Sequence, residues 1–423
     1  MNKEETRNGL RKWWRKPFIW ILLLMTAAAL CPDFLANGLP LYAVREGQAR
    51  FPVFEKKAAD WGLGRDRSEL NQPDVWLGTG TGNTVWAPIR YSPNQTDRLN
   101  DRFQKPHFLR EDTPPHFPHY LGTDELGHDV ASVLIHGTSI SFFIGVLSMA
   151  LAAGIGILIG AAAGFWGDDR LRATNRQSAW MAAGAVLMWF YGIQVHQIRF
   201  AETLGEGGIA FLRTVLLALG SMAGVGAVFL YAGRRIPFMR RGKKIRIPVD
   251  FILSRFIEWM VVIPKIILIL AVAAIVKPSI LLPALVIGFT SWPSIARFTR
   301  AEMLHVRHSD YIRSAETFGI SETRLFFRHA LPNSLGPVPS LVAFGIAGAV
   351  LAESTLSFLG IGIPPEVFTW GKLLAQGRAN PSAWWVTLLP GLMIFLTITC
   401  FHRLGETLQG KDRADKRFLA YFR

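Results

Sequence analysis

The sequence predicts an all-α protein that crosses a membrane several times and carries a partly irregular segment on one side of it. Half of the 423 residues are hydrophobic and the mean hydropathy is +0.25, a pairing that soluble domains seldom reach. The apolar residues are also gathered into runs. A helix rising about 1.5 Å per residue needs roughly 20 of them to cross the hydrocarbon. Eight runs qualify, at 17–36, 139–164, 179–195, 208–232, 257–276, 279–296, 335–361 and 384–402. The third observation is where the net charge of +15 sits. A nucleic-acid partner would call for a basic face carrying aromatic or base-reading groups. Here Arg11, Lys12, Arg15 and Lys16 precede the first run, and Arg234, Arg235, Arg240, Arg241, Lys243 and Lys244 follow the fourth. Basic residues at the edges of apolar runs follow the positive-inside rule, so no nucleic acid is expected.

The elements follow in chain order. Residues 1–16 form a basic N-terminus on the cytoplasmic side. The run 17–36 resembles a secretion signal, and AAALC around Cys31 resembles a lipoprotein cleavage site. Leu30 is bulky where a small residue is needed, so a retained first helix is expected. Residues 37–136 read as an extracytoplasmic segment rich in Pro, Gly, Asn and Asp, with strand-like scraps at FPVF (51–54) and VWAPIRY (85–91). Asn94-Gln95-Thr96 has the form of a glycosylation sequon, which matters only in a pathway that glycosylates.

After the second span, loop 168–178 carries Arg170, Arg172 and Arg176. Two runs then follow, joined by 196–206, where Arg199 is offset by Glu202 and Glu206, and the basic stretch 233–250 closes the insertion. The fifth and sixth runs meet at a tight turn, Lys277-Pro278. Lys265 is placed either to reach Glu258 or to snorkel to the headgroups. A cytoplasmic N-terminus puts every basic loop on one side. An even number of spans then leaves both termini there, with 406–423 as a tail.

Cys31 and Cys400 fall in apolar runs, so neither a disulfide framework nor a zinc site is expected. Gly405 to Lys411 has the outline of a phosphate loop. Asp412 follows where a magnesium-binding hydroxyl is needed, and the stretch follows a membrane helix rather than a strand. Glu353 lies inside an apolar run, where an ionisable group is costly. Two roles stay open for it: a charge on a pathway, or a carboxyl paired within the bundle.

The stretch 311–334, YIRSAETFGISETRLFFRHALPNS, stands between two of these runs. A helix ends at Gly319, suited to a left-handed cap, and Ser321 can cap a second helix with Glu322 in its first turn. The second helix carries Leu325, Phe326, Phe327 and Ala330 beside Arg324 and Arg328, and Pro332 follows it. Such a corner can pass force from a partner to the spans behind it. It can equally be an amphipathic helix lying on headgroups.

This stretch resembles the EAA loop of ABC-importer permeases. Arg313, Ser314 and Ala315 stand for the Glu-Ala-Ala, Gly319 for the glycine, and Leu331 and Pro332 for the ending, with HALPN (329–333) in the form found in peptide permeases. Arg313 departs from the pattern, so a salt bridge from Glu to the ATPase does not carry over. Gly122, Thr123, Asp124, Gly127 and Asp129 are similar to the element before the second helix of dipeptide and oligopeptide permeases, with His128 in place of an arginine. Glu353, Ser354, Ser357, the Leu356–Gly362 stretch, Pro364-Pro365 and Trp370-Gly371 look like that family's fifth core helix and external loop. Pieces of 36–54 and 86–92 resemble microcin C-type permeases.

The resemblance covers about 120–165 and 250–405. It implies a type I ABC-importer permease bundle over 137–405, interrupted by a two-helix insertion at 169–249. It further implies half of a pathway for peptides or peptide-like solutes across a bacterial inner membrane. The implied partners are a homologous permease, two ABC ATPase subunits, an extracytoplasmic peptide-binding protein and lipid. No catalysis and no cofactor are implied for this chain, since ATP and magnesium belong to the ATPases. By the same resemblance Arg313, Ser314, Ala315, Gly319, Leu331 and Pro332 dock the ATPase, and Glu353, Ser354 and Ser357 are candidates for the pathway or its gate. The alternative is a stand-alone ion-coupled transporter or channel. It would need several inward charges and often an inverted repeat, for which Glu353 and Lys265 are a thin set.

Overall fold

The computed structural model describes residues 16–45, 48–60, 84–97, 103–106, 117–168, 172–206, 208–236, 238 and 243–421. The basic N-terminus before Lys16, and Arg170, Arg240 and Arg241, lie outside the described residues. Six helices there are long and apolar enough to cross a membrane: Val130–Trp166, Asn175–Thr203, Arg213–Gly233, Leu281–Arg307, Val338–Phe358 and Trp384–Gly410. Two of the eight predicted spans differ. The run 17–36 is a 14-residue helix, Pro17–Leu30, that stops at Cys31 before a single turn, Pro32–Leu35. The run 257–276 is broken into Val249–Val262 and Lys265–Ile275. Pro264 is the cause, because it has no N–H to donate and it pushes Ile263 into extended backbone (φ −73°, ψ 120°).

The chain forms two compact units. The first holds residues 1–145 and 346–404. Within it the segment after the first helix folds as a small antiparallel sheet, Tyr42–Arg45 pairing with Gln48–Arg50 on one side and Thr84–Val85 on the other. The register sets Ala43 against Arg50 and Tyr42 against Val85. Leu39, Ala43 and Val53 make its core, with Leu41 and Trp86 packed around them. FPVF is not a strand: the helix Pro52–Asp60 starts on its proline, whose missing N–H costs nothing at a first helical position.

The second unit holds 146–345 and 405–423. Gly156, Gly160 and Gly164 recur every four residues on one face of their helix, against the Leu281–Arg307 helix. A Cβ on Gly160 would sit 2.3 Å from the carbonyl oxygen of Ala296, so glycine alone permits this backbone approach. Asp250 ties the Val249–Val262 helix to the same partner. Arg300 Nη2 donates to its Oδ2 at 2.6 Å, and Nε donates to Oδ1. Glu258 accepts from Arg255 at 2.7 Å rather than from Lys265.

The insertion is a helical hairpin. Its first arm runs through Asn175–Trp189, a π turn at Phe190–Gln194, and Gln197–Glu206, while the second is Gly208–Arg235. The expected loop 196–206 is therefore mostly helical, and the arms are longer than the runs suggested. Trp180 stacks on Phe229 at 4.6 Å and donates to its carbonyl at 3.0 Å. At the foot Arg172–Thr174 pairs antiparallel with Lys244–Arg246, and Thr174 with Gln177 forms a capping box for the first arm.

Candidate functional site

Two groups of motif residues stand out, one in each unit. In the second unit, Ser309 is the N-cap of the helix Asp310–Thr317 and Gly319 adopts φ +75° beyond its end. Gly319 N–H donates to Glu316 O at 3.0 Å and Ile320 N–H to Ala315 O at 3.3 Å. These two bonds form a Schellman motif, which satisfies carbonyls that the helix leaves open. Ser321 has the extended backbone of an N-cap, but its side chain makes no capping hydrogen bond. The next helix begins at Glu322–Arg324, passes through a π turn at Leu325–Ala330 and ends at Leu331–Ser334. Sequence spacing could not reveal that π turn, because its extra residue shifts the period within a stretch too short to read.

The inner face of this corner is firmly packed. Ile312, Leu325, Phe326 and Ala330 are buried with Ala161, Phe165, Met303 and Val306, and Ala315, Ile320 and Leu331 close the edge. Phe326 stacks on Trp166 at 5.0 Å and meets Phe165 edge-on at 5.1 Å. The corner is thereby joined through side chains to two long helices. Its outer face is open: Arg313, Ser314, Gly319 and Pro332 are exposed, and Ala315 and Leu331 are half-buried. The largest open apolar group is one the sequence did not single out. Phe318 is 86% exposed at the helix end, with Tyr311 and Phe327 also exposed. A sequence signal existed, since Phe318 is out of phase with the inward-facing Ile312 and Ala315 and directly precedes the cap glycine.

In the first unit, Gly122 to Asp129 forms a compact knot at the head of the Val130–Trp166 helix. Asp124 Oδ1 accepts from the N–H groups of Leu126 at 3.0 Å and His128 at 2.8 Å, and His128 Nδ1 donates to Oδ2 at 2.9 Å. Asp129 caps the helix by accepting from Ser132 N–H at 2.8 Å. Gly122 and Gly127 both have positive φ. Burial works against ionisation of Asp124, but the hydrogen bonds and charge of His128, with Gln376, outweigh it and hold its pKa below the usual value. His119 lies between two carboxylates, its Nδ1 2.9 Å from Asp129 and its Nε2 3.4 Å from Asp97, with the Tyr91 ring stacked on it at 4.2 Å.

The knot meets the later motif directly. Trp385 Nε1 donates to Thr123 O at 3.1 Å, Gln376 Nε2 to Asp124 at 3.2 Å, and Trp370 Nε1 to Leu134 O at 3.0 Å. Phe368 packs edge-on against His128 at 4.7 Å. Lys372 donates to the carbonyls of Pro364, Pro365 and Val367, which closes the loop ahead of the Trp370–Ala379 helix. The motifs at 122–129 and 353–371, distant in sequence, are thus one structural assembly.

Glu353 is fully buried and accepts from Ser141 at 2.8 Å, Ser357 at 2.8 Å and Ser354 at 3.4 Å. Ser354 and Ser357 are buried as well. All three candidate pathway residues therefore face one another and the Val130–Trp166 helix within the packed unit, as a hydroxyl-lined tie between helices. Among the described residues no group of three or more His, Cys, Asp or Glu is arranged to hold a metal ion. Gly405 to Lys411 lies inside the helix Trp384–Tyr421, without the loop that a phosphate would need.

Residues 232–411 match the family model described as "Binding-protein-dependent transport system inner membrane component". The chain is similar to the inner membrane ABC transporter permease protein YejE of Escherichia coli K12, 25% identical over 407 residues, 95% of this chain and 93% of that one. It is 27% identical over 290 residues to the di/tripeptide transport system permease protein DppC of Pseudomonas aeruginosa, 68% of this chain and 70% of that one. A putative peptide transport system permease of Brucella suis is 39% identical over 171 residues, 40% of this chain and 56% of that one. Among solved structures, a MetNI methionine ABC transporter chain is similar at a TM-score of 0.31 and 14% identity, covering 55% of this chain and 93% of that one, too slight to bear on the fold.

Proposed function

Because this chain is a permease subunit of the peptide-type ABC importers and a multi-pass inner membrane protein, we propose that it forms half of a pathway for peptides or peptide-like solutes. In this proposal a homologous permease supplies the other half, two ATPase subunits hydrolyse ATP inside the cell, and an external binding protein delivers the solute. The bundle is of type I, both termini are cytoplasmic, and 37–136 lies outside. The chain itself makes and breaks no bonds.

What supports this most is the corner at 310–334, whose two faces differ so sharply. The inner face is packed against two long helices through Phe165, Met303 and Phe326, while the outer face presents Phe318, Tyr311 and Arg313 to solvent. A knob with a rigid root is what a coupling element needs, because a partner gripping Phe318 displaces the helices behind it. Arg313, Ser314, Ala315, Gly319, Leu331 and Pro332 act here as the frame of the knob. A headgroup-resting helix would instead turn its apolar face outward to lipid, whereas the stripe of this one is spent on the core. Glu353, Ser354 and Ser357 position the helices and do not line the path. That leaves a stand-alone ion-coupled transporter without its main candidate charge.

Gentle detergent purification from the native host provides the test. ATPase subunits in stoichiometric amounts, together with a second permease, support the proposal. A protein that elutes alone and transports alone overturns it.

A further inference from the structure

We propose that the foot of the inserted hairpin is a binding surface for anionic phospholipid headgroups. Both arms begin their apolar stretches at the same level, since Gln177 Nε2 donates to Gly233 O at 3.2 Å, tying the start of one arm to the end of the other. Most of the apolar surface of both arms is left uncovered by the protein, so the arms above that level are clothed by acyl chains. The residues at and just beyond that level therefore stand at the depth of the headgroups.

Five cations described there are exposed: Arg176, Arg235, Lys243, Lys244 and Arg246. Acidic residues are missing from 172–201 and from 207–249. The nearest described ones are engaged elsewhere, Asp250 with Arg300 and Asp168 with the N–H of Phe251. Aromatic rings accompany the cations: Arg176 lies 4.0 Å over Phe238, and Arg235 lies 5.5 Å over Tyr231, as in an interfacial belt.

Topology alone would need only charge in this stretch. What goes beyond that need is the fixed backbone. The antiparallel pairing of Arg172–Thr174 with Lys244–Arg246 and the Thr174 capping box fix the backbone that carries Lys244, Arg246 and Arg176 before any ligand arrives. A preformed set of cations next to the bilayer, with phosphodiesters as the abundant anion at that depth, is matched to phosphatidylglycerol-type or cardiolipin-type lipid rather than to an acidic protein.

The test uses the full chain, with any subunits that co-purify, in mild detergent. The thermal midpoint is followed while dioleoylphosphatidylglycerol, dioleoylphosphatidylcholine or inorganic phosphate is added. The proposal expects phosphatidylglycerol to raise the midpoint and the other two to leave it in place. In the variant Lys243→Gln/Lys244→Gln/Arg246→Gln the apparent affinity for phosphatidylglycerol should fall by about a hundredfold, since each interfacial cation contributes roughly a factor of five. The variant's midpoint in phosphatidylcholine should match the parent's. If that variant folds poorly, the single change Arg235→Gln, outside the ribbon, should still weaken the response by about fivefold. Equal effects of the two lipids, an equal effect of inorganic phosphate, or an undiminished response in both variants each overturn the proposal.

Discussion

At the scale of single residues, two positions carry most of the physical argument. Gly319 sits at φ +75° with open space around the position of a Cβ, so a substitution there meets backbone strain and no steric clash. For a β-branched residue that strain is about 1–2 kcal/mol. Gly319→Val should therefore leave the packed inner face and membrane insertion intact while distorting the knob. Transport and ATPase association should fall together, and full transport by this variant would contradict the assigned corner. Asp124 makes a pH-dependent contribution with a definite sign. Its pKa is lower folded than unfolded, so it stabilises the knot above the ordinary carboxylate range, and that stability is lost as pH falls through the folded value. Limited proteolysis across a pH series should show cleavage near 117–129 rising from about pH 4 downward. Asp124→Asn should be cleaved more readily at neutral pH and depend less on acid. A parent protein indifferent to acid would show that the knot does not rely on this carboxylate.

At the scale of elements, the sequence predicted best where the signal was long. Six of the eight runs became long apolar helices, because 20 or so apolar residues leave few other options in lipid. The failures have named causes. Pro264 divides a run whose hydropathy alone looked continuous. FPVF alternates like a strand yet begins a helix, since four residues cannot separate the two periods. The arms of the hairpin extend past their hydrophobic stretches because Gln197–Glu206 is amphipathic rather than apolar, and a hydropathy pass reads such a segment as loop. The hairpin packs mainly on itself, through Trp180 on Phe229 and through Gly184 and Gly192, where an added Cβ would meet the opposite arm. It should accordingly be an accessory to transport. Replacing 172–246 with a short Gly/Ser linker should retain ATPase docking and abolish the response to phosphatidylglycerol. In the parent, a cysteine at Glu202 should react with an impermeant reagent from outside. Lost docking, or labelling from the cytoplasm only, would count against this placement.

At the scale of the whole molecule, sequence motifs marked the two assemblies but not their interiors. The knot at 122–129 was visible as glycines and aspartates in turn-forming order. Its partners Gln376 and Trp385 lie some 250 residues away and become neighbours only through the fold. Glu353 showed only as a charge in an apolar run. That its carboxylate is shared by Ser141, Ser354 and Ser357 depends in part on a contact 212 residues distant. At 310–334 the glycine corner was legible because a helix end has local rules, while the exposure of Phe318 depends on which face the long helices cover. Site-specific photocross-linking from position 318 in the assembled complex is the measurement that bears on this most directly. With a photoreactive residue in place of Phe318, the principal product should be this chain joined to an ATPase subunit, at a yield that changes between the ATP-free and ATP-bound states. Cross-links to lipid or to this chain alone, with none to an ATPase, would contradict the coupling role.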